Sequence, residues 1–374
     1  MSSELGGSGD QPALDFEDRT YTYAELDRAI DRWILEHGSG ASAYDASTLP
    51  VPDALICVCA AARRGTAVIV ENPDARPDRT VIPPSAFLLV ATSGSTGSPR
   101  PLARTAASWF DSFPAFTAIT GIEATDHVLI TGPLHATMHL FGAVHALWRG
   151  ACVTDDPSRA TVVHAVPAVL REVVGKAPKL RTAIVAGTAL DEGARAVAEG
   201  IEIVEYYGAA ELSLVAARRV PEPLRLLDGV DADIRDGLLY VRSPYSVIGV
   251  PEWFGVGDLA ELGDDDGELT VRGRGESAIN VGGTTVIAED VERILETVDG
   301  IAVAAVVGSP HSVLGETVTA VVELDGTAEI GDVRSRVRRM LTKEALPRRW
   351  VPIESMPRTA SGKVARGRVR DWLA

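Results

Sequence analysis

Short apolar runs rich in valine, isoleucine and leucine recur through the first half of the chain, separated by Gly/Pro breaks and by stretches of helical period. Residues 86–91, 127–131, 182–186 and 201–206 read as strands, and 189–199 reads as the helix between two of them. Strands alternating with helices predict an α/β architecture with parallel sheets. After Pro221 the pattern changes. Residues 233–242 and 267–272 alternate apolar and polar positions between tight turns, the pattern of a small β-barrel subdomain. Beyond Arg274 the spacing predicts a smaller α+β segment, with helices over 289–298 and 332–341 and strands over 301–307 and 318–324. The expected organisation is a large N-terminal domain over 1–274 and a small mobile C-terminal domain over 275–374.

At 374 residues the chain can bury two sizeable cores. No apolar run is long enough to cross a bilayer. The first ten residues lack a basic region followed by an apolar one, so they read as a short disordered leader and not as a secretion signal. Three cysteines point to a reducing, cytoplasmic setting. Cys57 and Cys59 lie in an apolar stretch with no later Cys/His pair to complete a zinc site, which makes them core residues. The acidic stretch 264–267 joins two alternating strands and reads as a turn.

The net charge of -16 argues against general nucleic-acid binding. Charge is uneven, however. From Arg334 onward, twelve Arg and Lys residues face only Glu344, Glu354 and Asp371. That surface is either a solvated helix face or one that meets the phosphates of ATP or CoA, or an acidic carrier protein.

The chemistry concentrates first at residues 92–100, Thr-Ser-Gly-Ser-Thr-Gly-Ser-Pro-Arg, directly after an apolar run. Gly94 and Gly97 let the backbone approach a ligand closely. Thr92, Ser93, Ser95 and Thr96 bring hydroxyls, successive N–H groups make an anion-binding concavity, and Arg100 adds a cation. A polyphosphate fits such a loop.

Four further motifs follow in order: Tyr206-Tyr207-Gly208-Ala209-Ala210-Glu211; Gly257-Asp258; Gly273-Arg274-Gly275-Glu276 with Asn280-Val281-Gly282-Gly283 and Glu289-Asp290-Val291-Glu292; and Pro357 to Lys363. Together with the first loop they resemble the adenylate-forming superfamily of acyl-CoA synthetases, luciferases and peptide-synthetase adenylation domains. The resemblance runs from Tyr21-Thr22-Tyr23-Ala24-Glu25-Leu26 nearly to the C-terminus. It implies an AMP-forming acid–CoA ligase that uses MgATP and then CoA.

Under that resemblance, Thr92 to Gly97 and Arg100 hold the β- and γ-phosphates and Glu211 is the Mg²⁺ ligand. Tyr207, with Gly208 and Ala209, stacks on adenine, and Gly187-Thr188-Ala189 packs against the base. Asp258 holds the ribose hydroxyls, with Arg274 as a second contact. Lys363 is the mobile cation between carboxylate and α-phosphate. Glu276 is the hinge, and Gly282-Gly283 lets a phosphopantetheine thiol pass. His135 or His139 gates the carboxylate, with His139 chosen, while His145 and His164 read as core or helix-face residues.

Three departures stand out. Arg100 replaces the family's usual Lys, and Ala210 replaces a Thr whose hydroxyl usually meets the α-phosphate. The phosphate loop also begins early, so the N-terminal domain reads as trimmed, and a homodimer would cover what is lost. Compact bacterial acid–CoA ligases, including succinylbenzoate ligases of the menaquinone pathway, share such shortness. Two alternatives stay open: a stand-alone enzyme loading a carrier-protein phosphopantetheine, and a degenerate nucleotide-binding protein without turnover.

Overall fold

The computed structural model describes the chain except residues 1–3, 39–41, 79–80, 93–98, 188–189, 191, 265–266, 282–283, 312–314, 360–361, 363 and 374, and except the side chains of residues 92, 274, 276, 280, 284, 285 and 315. The chain divides into two compact units. One comprises residues 1–231 and 241–254, the other 232–240 and 255–374.

The first unit is α/β, as the alternation of strands and helices predicts. Its nine-stranded sheet has the spatial order Arg225–Leu226, Ser213–Arg219, Glu202–Ala209, Thr182–Val185, Val162–Ala165, His127–Ile130, Cys152–Thr154, Pro12–Phe16 and Arg19–Thr22. The six central strands run parallel, and antiparallel strands close both ends. A second sheet, Ala43–Asp45, Ala67–Ile69, Leu88–Thr92 and Arg100–Arg104, is parallel except for its last, edge strand. One continuous core links the sheets through the helices Tyr23–His37, Val51–Arg64, Phe113–Thr120 and Thr137–Arg149. Cys57, Cys59 and Cys152 are buried free thiols, and burial pushes all three up to about 12.

The start of the resemblance now has a local reason. Thr22 caps the helix Tyr23–His37 by accepting the Glu25 N–H, and Glu25 accepts the Thr22 N–H in return. This reciprocal box satisfies two N–H groups that a helix start leaves orphaned.

The disordered-leader expectation is corrected for the described residues from Glu4 onward. Leu5 is buried, and the Gly6 N–H donates to the Leu147 carbonyl at 2.9 Å. A Cβ on Gly6 would lie 2.0 Å from the Trp148 oxygen, and one on Gly7 would lie 2.3 Å from the Tyr23 ring. Composition alone reads such Gly-rich sequence as loose, whereas here the glycines permit close contact.

The second unit contains an antiparallel sheet formed mainly by Asp231–Arg235, Leu238–Arg242, Asp258–Leu262 and Leu269–Arg274, in the region expected to be the small barrel. A five-stranded sheet follows, built on the long hairpin Ile301–His311 and Gly315–Leu324, with Ala278–Val281, Thr284–Ile287 and Arg349–Ile353. Helix Ala288–Glu296 covers it with Ala288, Val291 and Leu295 buried, a 3–4 spacing that sets one apolar stripe. Among the described residues no helix is long and apolar enough to cross a membrane.

Candidate active site

In the first unit the phosphate-type loop is spanned by a strand pair. Thr92 ends the strand Leu88–Thr92 and pairs with Arg100, which opens the antiparallel strand Arg100–Arg104. Sequence reading did not identify this second strand, because Pro101 argues against one. Pro101 is tolerated because the strand is the sheet's edge. The loop residues Ser93, Gly94, Ser95, Thr96 and Gly97 lie outside the described residues, as does the Thr92 side chain.

The Tyr-Gly-Ala-Ala-Glu segment forms the tip of a hairpin. Tyr207, Gly208 and Ala209 complete the strand Glu202–Ala209, and residues 210–212 turn into Ser213–Arg219. The register slips between Tyr207 and Gly208. A Cβ on Gly208 would sit 2.0 Å from the Ser213 carbonyl oxygen, so only glycine fits there. Ser213 itself takes φ 61°, a left-handed conformation that costs a non-glycine residue energy.

This hairpin and the Arg100 strand meet. Arg100 Nη2 donates to Glu211 Oε1 at 3.0 Å, with the Glu211 side chain 11% exposed and that of Arg100 68% exposed. Val247 N–H donates to the Glu211 carbonyl at 2.8 Å. A cleft of about 450 Å³ opens here, lined by Arg100, Leu102, Glu211, Val247, Ile248 and Phe254 among others.

Sequence reading missed Arg104. It lies on the same strand face as Arg100, four residues on, and is fully buried. Its Nη1 donates to the Tyr245 carbonyl at 2.7 Å and its Nη2 to the Ala210 carbonyl. Burial lowers Arg104 to about 9, against the pull of Glu211. The residue fixes the backbone directly before Glu211.

Gly187 follows the strand Thr182–Val185 with φ 89°, while Thr188 and Ala189 lie outside the described residues. The helix beyond is shorter than expected, Glu192–Val197. Glu205 holds this turn by accepting the Leu190 N–H at 3.1 Å, and Arg218 Nε donates to Glu205 at 2.7 Å.

His139, on the helix Thr137–Arg149, is buried, and its ring packs on Gly132, where a Cβ would fall 2.3 Å from Nε2. Burial lowers His139 to about 4, so the ring is neutral at neutral pH. His135 is half-buried and also lowered by burial. His145 and His164 are fully buried, neutral and ringed by Phe116.

In the second unit Asp258 and Arg274 are direct partners across the strands Asp258–Leu262 and Leu269–Arg274. Asp258 is buried, and Gly257 with φ 85° lets its carbonyl accept the Gly275 N–H at 2.7 Å. The backbones of the two ribose candidates are therefore neighbours in the sheet, and the Arg274 side chain lies outside the description. Glu276 falls in the 3₁₀ turn Gly275–Ser277. Gly282, Gly283 and Lys363 lie outside the described residues. Among the described residues no group of three His, Cys, Asp or Glu side chains is arranged to hold a metal ion.

Residues 290–363 match the AMP-binding enzyme C-terminal domain. The chain is 30% identical over 348 residues to the uncharacterized acyl–CoA ligase YhfT of Bacillus subtilis, covering 81% of this chain and 72% of that one. It is 28% identical to the indoleacetate–CoA ligase of Aromatoleum aromaticum, over 82% and 71% of the two chains. The fold superposes on the ATP-bound structure of MatB from Rhodopseudomonas palustris with a TM-score of 0.83 at 20% identity, covering 97% of this chain and 96% of that one. The chain belongs to the adenylate-forming superfamily, as one of its AMP-forming acyl-CoA ligases.

Proposed function

We propose that the protein activates a carboxylic acid with MgATP and transfers the acyl group to the thiol of CoA. In the first step a carboxylate oxygen attacks the α-phosphorus, the bond to the bridging oxygen breaks, and pyrophosphate leaves with an acyl-adenylate formed. In the second the CoA sulfur attacks the acyl carbon, AMP leaves, and the thiol proton is released to solvent.

The observation that carries this reading is the Arg100–Glu211 pair at the edge of the cleft. It joins the end of the phosphate-type loop to the Tyr-Gly-Ala-Ala-Glu tip. A single buried carboxylate fits magnesium, which takes few carboxylates and fills its other positions with phosphate oxygens and water. Glu211 would hold the ion, which supplies charge neutralisation to the polyphosphate when bound. Arg100 is exposed enough to leave Glu211 and turn to the β- and γ-phosphates, a forked donor suited to phosphate. Tyr207 offers its ring to adenine, and Asp258 with Arg274 offers acceptor and donor to the ribose hydroxyls. Neutral His139 orients the acid by hydrogen bonding and brings no charge. Lys363 neutralises the charge that gathers between carboxylate and α-phosphate.

A second reading keeps the first step and changes the acceptor. Arg334, Arg338, Arg339 and Arg349 are exposed, which suits an acidic carrier protein bearing phosphopantetheine. Acceptor dependence separates the two. With MgATP and a panel of aliphatic, aromatic and dicarboxylic acids, the CoA reading expects AMP and an acyl thioester to accumulate on addition of free CoA. Turnover with a holo-carrier protein and none with CoA would overturn it.

A further inference from the structure

The second unit holds a partly buried ion cluster to which the reaction outlined above assigns no role. Arg366, the first residue of the helix Arg366–Leu373, sits among two carboxylates of the helix Ala288–Glu296. Its Nη2 donates to Glu292 at 2.6 Å and its Nη1 to Glu289 at 2.8 Å. Glu289 and Glu292 are three apart and share one helix face. The same Nη1 donates to the Ser277 hydroxyl at 3.3 Å, beside the hinge candidate Glu276. A Cβ on Gly273 would fall 2.5 Å from Glu289 Oε2, so glycine in the Gly-Arg-Gly motif makes room for that carboxylate. One guanidinium thus ties a helix, the turn after Arg274 and the last helix of the chain.

Ion clusters taken partly out of water are weak stabilisers, because apolar residues of similar volume would serve about as well. What they fix is position. Before Arg366, the described residues on either side of Lys363 pair with one another. The Ala365 N–H donates to the Pro357 carbonyl at 2.7 Å, and Arg358 bridges to Val364. The chain before Pro357 is anchored where the Met356 N–H donates to Glu323 at 2.7 Å. Lys363, outside the described residues, comes directly before Val364 and three residues before Arg366 in the sequence.

We propose that Arg366 is a positioning residue for adenylation: its guanidinium ties the described backbone on either side of Lys363, at Pro357 and Arg358 and at Val364 and Ala365, to helix Ala288–Glu296 and to Ser277 at the hinge. The chain on both sides of the lysine is then carried with the hinge turn as one body. This rests on the reading of Lys363 as the adenylating cation. A displacement of about 1 Å at a reacting group can lower a rate a hundredfold, so the coupling is worth keeping.

Two measurements on the full chain test it. The first is hydrogen exchange by mass spectrometry, which needs no substrate. In Arg366→Met, peptides covering 357–365 should exchange at least about tenfold faster, those of the hairpin Ile301–His311 and Gly315–Leu324 should not change, and Arg366→Lys should recover part of the protection. Unchanged exchange at 357–365 overturns the proposal. If Arg366→Met loosens the whole unit, Glu289→Gln takes its place with the same two outcomes.

The second is a double-mutant cycle on pyrophosphate release with MgATP and benzoate, hexanoate or succinate as probe acids. Arg366→Met should lower kcat by about tenfold to a hundredfold with little change in the KM for ATP. In the Lys363→Ala background the same change should cost no more than about twofold. Equal losses in both backgrounds mark a merely structural role and overturn the proposal. Wild-type release from Lys363→Ala overturns the reading beneath it, and the exchange result tells the two failures apart.

Discussion

Arg100 and Glu211 are 111 residues apart, and Nη2 of the first lies 3.0 Å from Oε1 of the second. The pairing leaves the Glu211 charge neutralised while Arg100 stays largely in water. A pair this exposed on one side contributes at most about 1 kcal/mol to stability. Arg100→Met should therefore leave the melting temperature nearly unchanged and raise the KM for ATP about tenfold, whereas Arg100→Lys should lose less. Steady-state kinetics beside thermal melts check this. A large stability loss with unchanged KM would remove Arg100 from the phosphate site.

Arg104 behaves oppositely. It is buried and donates to two backbone carbonyls, so its removal leaves both acceptors unsatisfied. Arg104→Met should destabilise the first unit by about 2–4 kcal/mol in denaturant unfolding. Arg104→Lys should not rescue it, since an ammonium lacks the fork that reaches both Ala210 and Tyr245.

Glu292 gives a pH signature. Burial, with the Glu289 charge adding to it, outweighs the attraction of Arg366 and raises Glu292 to about 7 from its ordinary 4.5. A carboxyl raised on folding binds protons more tightly in the folded state. Its contribution is full below about 4.5 and is lost as pH climbs through about 7. The melting temperature of Glu292→Gln minus that of wild type should therefore be more positive at pH 8.5 than at pH 5.5, with Arg366, Glu289 and the Val306 N–H as the groups facing the carboxyl. A difference independent of pH would contradict this.

His139 should add no limb to the rate profile between pH 5.5 and 8, because burial holds it near 4 and keeps it neutral throughout. Gly132→Ala should act through the same ring. The added Cβ would fall 2.3 Å from Nε2, forcing the imidazole to shift, with the KM for the acid raised about tenfold and the KM for ATP nearly unchanged. Equal effects on both would remove His139 from the acyl side.

The strands and turns that carry chemistry were legible because their signals are local. A strand, a turn and an ordered set of motifs need no distant partner to be recognised. Arg104 was not legible, since its partners lie 106 and 141 residues away. Arg366 looked like one cation of a basic surface, and only folding brings it to Glu289 and Glu292. Pro101 argued against the strand that carries both Arg100 and Arg104, and only the edge position of that strand removes the objection. The glycines at 6 and 7 misled in the other direction, reading as looseness where they allow contact with Trp148 and Tyr23.

The most direct test of adenylation is acid-dependent pyrophosphate release from MgATP by the full chain, measured beside Glu211→Gln and Lys363→Ala. The account predicts release only when an acid is present, lowered by about a hundredfold or more in each variant while melting temperatures stay close to wild type. Release that ignores the acid, or that survives both substitutions, would contradict it.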